Sequence, residues 1–286
     1  MSRLGVIGGS GLYNIDGLKI IRREKIETPF GSPSDELTLA KYGDKEIVFL
    51  PRHGAGHKIL PTELNYRANI YAMKKLGVER ILSLSACGSF KKELKPRDIV
   101  IVHQFFDRTN QSRKTTFFGD GIVAHISFAE PVCLELADIV HNTARKAELP
   151  VHKGGTYLNM EGPAFSTKAE SNVYKGWGMD VIGMTNMPEA RLAREAEICY
   201  VTVAFVTDYD AWHEEEGAVT LEMIIENLNK NVDNAKKLLK LVLEKIPNKR
   251  TCACKDALKD SIITRPEAIK KETKEKLNLI IGKYIK

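Results

Sequence analysis

Apolar residues along this chain follow two alternating rhythms. Short β-branched runs of four to eight residues are interleaved with longer stretches in which apolar positions recur every three or four residues, the pattern of strands alternating with amphipathic helices. The runs predict strands at Leu4–Ile7, Leu37–Lys41, Ile47–Leu50, Arg80–Ser85, Ile99–Val102, Asp180–Met184 and Cys199–Val206. The second and third flank Tyr42-Gly43-Asp44-Lys45, a hairpin turn by composition. Helical spacing covers Asn65–Leu76, Pro131–Leu149, Lys168–Gly176, Pro188–Glu197 and Leu221–Ile246. In the last of these, Leu221, Ile224, Ile225, Leu228, Val232, Ala235, Leu238, Leu239 and Val242 form one face, with Thr220 placed to cap its start. Pro247 ends that helix, and a second is expected from Pro266 to the C-terminus, lined by Ile269, Thr273, Leu277, Ile280 and Tyr284. The expectation is an α/β fold with one domain over residues 1–247. Residues 248–286 form an extension, helical and packed on the same or a neighbouring subunit.

Charge refines this division. The chain of 286 residues has a net charge of +6, but residues 249–286 hold 11 Lys and Arg against 5 Asp and Glu, while the remainder holds 32 of each. The basic character belongs to the extension, whereas a nucleic-acid groove spreads charge over the folded body. Nucleic acid is therefore not the expected partner. No apolar run approaches the roughly 18 residues of a membrane span, and no signal-peptide pattern leads the chain, so the cytoplasm is the expected compartment. The five cysteines, at 87, 133, 199, 252 and 254, are an odd number and do not suggest an obligatory disulfide framework. Cys252-Ala253-Cys254 reads as free thiols, a redox pair or half of a metal site. Zinc needs four ligands and no CxxC or HxxxH partner is in view, so no metal is expected.

The chemistry gathers where strands run out. Asp208 and Asp210 follow the Cys199–Val206 run and, two residues apart, can approach one ligand together. Gly8-Gly9-Ser10-Gly11 follows the first strand and offers backbone donors and a hydroxyl, although it lacks both the third glycine of a dinucleotide fingerprint and the lysine of a P-loop. Arg52-His53-Gly54 ends another strand, with His57 close behind. Ser85-Ala86-Cys87-Gly88-Ser89 and Thr185 end two more. Strand carboxyl ends are where α/β sheets place ligands. An anion cradle of Arg and hydroxyl donors facing a carboxylate pair suits phosphorolysis of a nucleoside: phosphate attacks the sugar, and a carboxylic acid kept neutral by burial protonates the leaving base.

These segments, in this order, resemble the 5′-methylthioadenosine phosphorylases of the trimeric purine nucleoside phosphorylase superfamily. The resemblance rests on Gly8–Gly11, Thr28–Asp35, Arg52-His53-Gly54 with His57, Asn65–Ile70, Ala86–Ser89, Asp98–Val100, Gln104-Phe105, Asp107-Arg108, Glu161–Ser166, Met184-Thr185, Pro188-Glu189 and Thr207–Asp210. It spans about residues 3–247. It implies a central mixed, partly barrel-like sheet flanked by helices and, as the reaction, cleavage of 5′-methylthioadenosine by inorganic phosphate to adenine and 5-methylthioribose 1-phosphate, with no cofactor beyond that co-substrate.

The resemblance also implies roles. Ser10, Arg52, His53, Ser85, the Ala86 backbone and Thr185 would hold phosphate. Met184 and Phe165 would wall the ribose and base. Asp208 and Asp210 would serve N7 and the 6-amino group, with Ser166 nearby, and His57 would contact the nucleoside. Val219, Leu221, Ile224 and Ile225 would hold the methylthio group. His125 would reach a neighbouring subunit's site in a homotrimer or dimer of trimers, with Ile263 as a further contact from the tail. In thermophilic members cysteines like the CxC pair can be disulfide-linked, and by that resemblance Cys133 and Cys199 could pair. Three departures stand out: Asn186 and Ala164 occupy positions where other residues are usual, and Lys91-Lys92 is locally basic. Alternative activities are a broader phosphorylase acting on adenosine or 6-oxo purine nucleosides, and a nucleosidase using water.

Overall fold

The computed structural model describes residues 3–9, 11–110, 112–213 and 221–285. Eleven strands form one branched sheet among these residues. They are β1 (Arg3–Gly8), β2 (Lys19–Glu24), β3 (Leu37–Tyr42), β4 (Lys45–Pro51), β5 (Val78–Ser89), β6 (Ile99–Ile101), β7 (Gln104–Arg108), β8 (Val151–Lys153), β9 (Thr156–Met160), β10 (Val181–Gly183) and β11 (Cys199–Asp208). The helices are α1 (Tyr66–Lys75), α2 (Leu134–Lys146), α3 (Lys168–Gly176), α4 (Asn186–Glu195), α5 (Leu221–Lys245) and α6 (Lys271–Ile281). None is long and apolar enough to cross a membrane.

The sheet branches at β5, which pairs with β1 and β11 in parallel and takes β10 antiparallel at its far end. One arm runs β5-β1-β4-β3-β2. The other closes into a ring. From β5 it passes through β10 to β9, whose chain is continuous with β8; β8 pairs with β6, β6 with β11, and β11 returns to β5. Small and branched side chains pack around one tyrosine in this ring: Cys87, Val100, Val102, Tyr157, Val181, Ala204 and Val206 are all buried together. The expected mixed, partly barrel-like sheet with flanking helices is what the chain forms.

Two larger cores cover the rest of the sheet. α1 and α4 help bury one, which contains Ile7, Val48, Ile70, Met73 and Tyr200, and α2 and α5 pack on the other through Leu136, Val140, Leu238, Leu239 and Val242. The caps are local. Asn65 accepts a hydrogen bond from the Ala68 amide at the start of α1, and Thr167 with Glu170 forms a reciprocal capping box on α3.

The extension differs from expectation in one respect. Pro266 opens only a single 3-10 turn, Pro266–Ala268, and the helix proper begins at Lys271. Its apolar face is the expected one. Ile269, Leu277, Ile280 and Ile281 join the α1/α4 core of the same chain. At about 1.5–3 kcal/mol for each fully buried aliphatic side chain, that face is ample to hold α6 down. Thr220, expected to cap α5, lies outside the described residues.

Candidate active site

β11 is buried along its whole length and delivers Asp208 at its last position. Asp210 follows with φ of 51°, a left-handed backbone that a short polar residue tolerates better than a branched one. That turn folds Asp210 back, and its amide donates to Asp208 Oδ1 at 2.9 Å. Thr207 Oγ1 lies 2.7 Å from Asp208 Oδ2 and 3.1 Å from the Cys87 carbonyl. One hydroxyl proton therefore serves either state of the acid: it points to the carboxylate when Asp208 is ionised, and to Cys87 when the carboxyl itself donates to Thr207.

Both carboxyls are nearly enclosed, with 6% and 7% of their surface exposed. Burial raises the pKa of Asp208, while its bonds from Thr207 and the Asp210 amide pull the other way. Burial also raises Asp210, helped by the charge of Asp208 and opposed first by the Ser171 hydroxyl, then by the Ala211 amide and the Ser166 hydroxyl. Asp210 Oδ2 is buried without a hydrogen-bond partner among the described residues. A buried acceptor in that condition costs about 1–3 kcal/mol, and Ser171 Oγ is likewise buried without a partner among the described residues, so hydrogen-bonding capacity is left open beside the acids.

β5 and β10 form the floor beneath the acids. Gly88 pairs with Asp208 in register, and a Cβ there would stand 2.9 Å from Asp208 Oδ1, so only glycine lets the strand and the acid approach. Ala86 is the only exposed residue in the otherwise enclosed β5, which marks where the floor opens. Ser85, beside it, is within 3.2 Å of Tyr157 Oη. At the end of β10, Gly183 lies so close to Tyr157 that any side chain would collide with the ring hydroxyl. Met184 packs against Gly162, which leads into the loop carrying exposed Phe165 and buried Ser166. Arg113 ties these pieces together, donating to the carbonyls of Met184, Met187 and Glu161. Thr185 is buried at the head of α4.

Arg52 occupies the far side of the floor, at the end of β4, and its chemistry differs from expectation. It does not present an open fork. Nε and Nη2 donate to Glu189 at 2.9 and 3.1 Å, Nη2 also to Ser83 Oγ at 2.6 Å, and Nη1 to the Leu84 carbonyl at 3.0 Å. Of the five N–H groups of a guanidinium, one on Nη1 is without a partner among the described residues. Glu189 is wholly buried and also accepts from Ser83 and from Tyr200 Oη. Asn186, unusual by resemblance, lies against the same network, 3.4 Å from Ser83 Oγ, with its amide nitrogen unpartnered among the described residues.

The adjoining His53 is a neutral ring that offers an acceptor. Burial, reinforced by Arg52 and His57, lowers its pKa to about 4 despite a bond to Ile59. The ring is neutral at pH 7. Since a carbonyl only accepts, Nδ1–H is committed to Ile59 O at 2.8 Å, leaving Nε2 as an acceptor. It can take a proton-bearing oxygen, from a sugar hydroxyl or hydrogen phosphate, and does not donate. His57 is exposed and stacks on His53 at 4.2 Å.

The remaining expected residues fall into two groups. Ser10 and Val219 lie outside the described residues. Leu221 and Ile225 are 61% and 47% exposed, with Ile224 between, so a single chain leaves the start of α5 open. One turn on, Asn227 and Asn231 donate to the Thr207 and Val206 carbonyls, which anchors that open start beside the acids. His125 is exposed on a segment bonded to the extension: its amide donates to Ser261 O, and Ile263 N donates to Val123 O.

Sequence reasoning missed Ser83, Glu189 and Arg113. A Glu on a helix and an Arg in a loop read as solvated, and only the Pro188-Glu189 motif touched one of them. No group of His, Cys, Asp or Glu suited to hold a metal occurs at the acids among the described residues.

A sheet with a partial ring, a buried acid pair at the end of β11 and Arg52, Ser85 and Thr185 near the ends of β4, β5 and β10 define a class. A family model described as the phosphorylase superfamily matches residues 3–244. Curated relatives narrow it: the chain is 56% identical to an S-methyl-5′-thioadenosine phosphorylase of Geobacter sulfurreducens, over 99% of each chain, and 54% identical to one of Koribacter versatilis, over 99% of this chain and 97% of that one. Among solved structures, a methylthioadenosine phosphorylase from an antarctic soil metagenomic library superposes with a TM-score of 0.93 at 47% identity, covering 98% of each chain. The methylthioadenosine phosphorylase of Schistosoma mansoni in complex with adenine gives 0.86 at 36% identity, covering 91% of this chain and 99% of that one. The chain belongs to the phosphorylase superfamily and, within it, to the S-methyl-5′-thioadenosine phosphorylases.

Proposed function

We propose that this chain cleaves 5′-methylthioadenosine with inorganic phosphate, giving adenine and 5-methylthioribose 1-phosphate. A phosphate oxygen forms the bond to C1′ as the C1′–N9 bond breaks, and the electron pair goes into the purine. Asp208, carrying the proton that burial favours, donates it to N7, so adenine leaves uncharged. Asp210 Oδ2 accepts from the 6-amino group. That unpartnered, buried acceptor beside a second acid is the observation that carries the reading, because a 6-amino purine supplies the missing donor and a 6-oxo purine does not.

The free N–H of Arg52, Ser85, the Ala86 backbone and Thr185 hold the phosphate, together with Ser10. His53 Nε2 accepts from a hydroxyl of the phosphate or sugar. Met184, Phe165 and Ser166 line the nucleoside, with His57 at the mouth. Val219, Leu221, Ile224 and Ile225 take the methylthio group, and His125 of a neighbouring subunit closes the site in a homotrimer or dimer of trimers. An apolar pocket disfavours a 5′-hydroxyl by about 1–3 kcal/mol, so adenosine is a slower substrate and not an excluded one. The proposed reaction needs no cofactor beyond phosphate, and the proposed compartment is the cytoplasm.

The test is a product assay on methylthioadenosine with and without phosphate. Adenine and the sugar 1-phosphate are expected only when phosphate is present. Adenine and free methylthioribose at the same rate without phosphate would make the enzyme a nucleosidase.

A further inference from the structure

Four of the five cysteines meet at the opposite end of β11 from the acids. Cys133 caps α2, Cys199 opens β11, and Cys252 and Cys254 belong to the first turn of the extension. Asp208 is nine residues further along β11 than Cys199, about 30 Å of extended strand. All four Sγ atoms lie within 4.8 Å of one another. Three of the residues are buried and Cys252 is partly buried. No two are bonded, and Cys199 and Cys252 stand at 3.2 Å. The fifth, Cys87, belongs to the core of the ring.

The sequence shows only a CxC, two ligands of the four a zinc site needs. The fold supplies the other two, from segments more than 50 residues away in the chain. Sulfurs held at about 2.3 Å around a tetrahedral ion stand roughly 3.8 Å apart, which fits this cluster. A set of four sulfurs with no oxygen ligand selects a soft or borderline ion and rejects magnesium and calcium. Four thiolates on a divalent ion leave a net double negative charge that needs cations nearby. Arg250 Nη1 is 3.9 Å from Cys199 Sγ, and buried Arg80 stands opposite Cys199 in the β5–β11 register.

We propose that Cys133, Cys199, Cys252 and Cys254 form a tetrathiolate site for a structural zinc ion that fastens the extension to the body. Each thiol that binds releases its proton to solvent, and no electron is transferred. The ion would anchor the chain just before it returns to pair with residues 123–125, which ties the placement of His125 to the site.

The test uses the full chain, purified under reducing conditions without chelator. Elemental analysis is expected to find about one zinc per chain. Stripping the metal and adding cobalt is expected to give about one cobalt per chain, with sulfur-to-cobalt charge-transfer absorption and the d–d bands of a tetrahedral site. Stripping should lower Tm by on the order of 5 °C or more. Cys252→Ser with Cys254→Ser should abolish retention of either metal; should that variant not fold, the cobalt spectrum of the unaltered chain carries the test alone. Reduced protein that takes up neither zinc nor cobalt would overturn the proposal. So would one iron per chain in place of zinc, or a single free thiol of five in denaturant without reductant, since two disulfides would then occupy the cluster.

Discussion

At the scale of single residues, the acids make function and stability pull in opposite directions. Burial holds the folded-state pKa of Asp208 above its ordinary value of 3.8. The stability associated with such a group is fully present below the unfolded pKa and is lost as pH rises through the raised folded pKa. The raised pKa of Asp208 is therefore a cost to stability once pH exceeds it, and in the proposed mechanism the same shift favours the proton-bearing form. Asp208→Asn is expected to lower kcat on methylthioadenosine by about 10² or more. It is also expected to leave Tm unchanged or higher at pH 8, with less gain at pH 4. Full activity would remove Asp208 from proton transfer, and a large fall in Tm would mean the loss of activity was structural. The i, i+2 acid pair at the end of an apolar run reads alone as easily as a helix cap or a turn, and it stands out in the sequence only beside the Gly, Arg/His, Ser and Thr groups that end the other strands. Glu189 does not stand out. Its meaning comes from Arg52, 137 positions away, which it holds with two hydrogen bonds while Ser83 and Tyr200 supply the rest of its donors. That arrangement leaves a single N–H without a partner among the described residues, so in the proposed reaction phosphate meets an arginine whose position and charge are already fixed.

Secondary-structure elements also carry a buried carboxyl with no part in the proposed chemistry. Glu195, in the last turn of α4, accepts from Thr116 Oγ1 and from the Phe117 amide, both at 2.7 Å. These bonds favour its charge, but burial outweighs them and raises its pKa to about 7 from 4.5. The contribution of Glu195 to stability is thus full below about pH 4.5 and lost as pH rises through about 7. Glu195→Gln is always neutral, so its stability relative to the unaltered chain should improve by up to about 3 kcal/mol between pH 4.5 and pH 8. Urea unfolding at the two pH values reads this directly, and parallel pH dependences would contradict it. The elements themselves were unevenly legible. Long periodic helices and fully buried strands declared themselves. β2, β7, β8 and β9 did not. β2 is a charged edge strand paired only with β3, its Lys and Arg guarding the open side and hiding the strand pattern. β8 is three residues long and is separated from β9 by Gly154-Gly155, which reads as a turn. In the fold those glycines let one chain pass between two partners and close the ring, a long-range consequence with no local signal.

The whole molecule leaves apolar surface open where a small substrate needs enclosure. Leu221, Ile225 and Phe165 are exposed on elements that border the acids, and Ile263 is exposed on the extension next to the segment of His125. In the proposed trimer each site takes its acids from one subunit and His125 from the next, an arrangement in which unlike faces of the protomer meet around a threefold axis. Mixing variants separates this from a site complete in one chain. A subunit with Asp208→Asn still carries His125, and a subunit with His125→Ala still carries its acids. Where the second is followed by the first around the ring, an intact site forms from two impaired chains. Random mixing in equal amounts restores about one quarter of the sites. Co-expressed and co-purified variants are therefore expected to show about one quarter of the unaltered activity whenever each parent retains far less. Sedimentation of the same sample should give a mass of three chains or a multiple of three. Activity in the mixture no greater than the mean of its parents would place the whole site within one chain, and His125 would then lose its role in a neighbour's site.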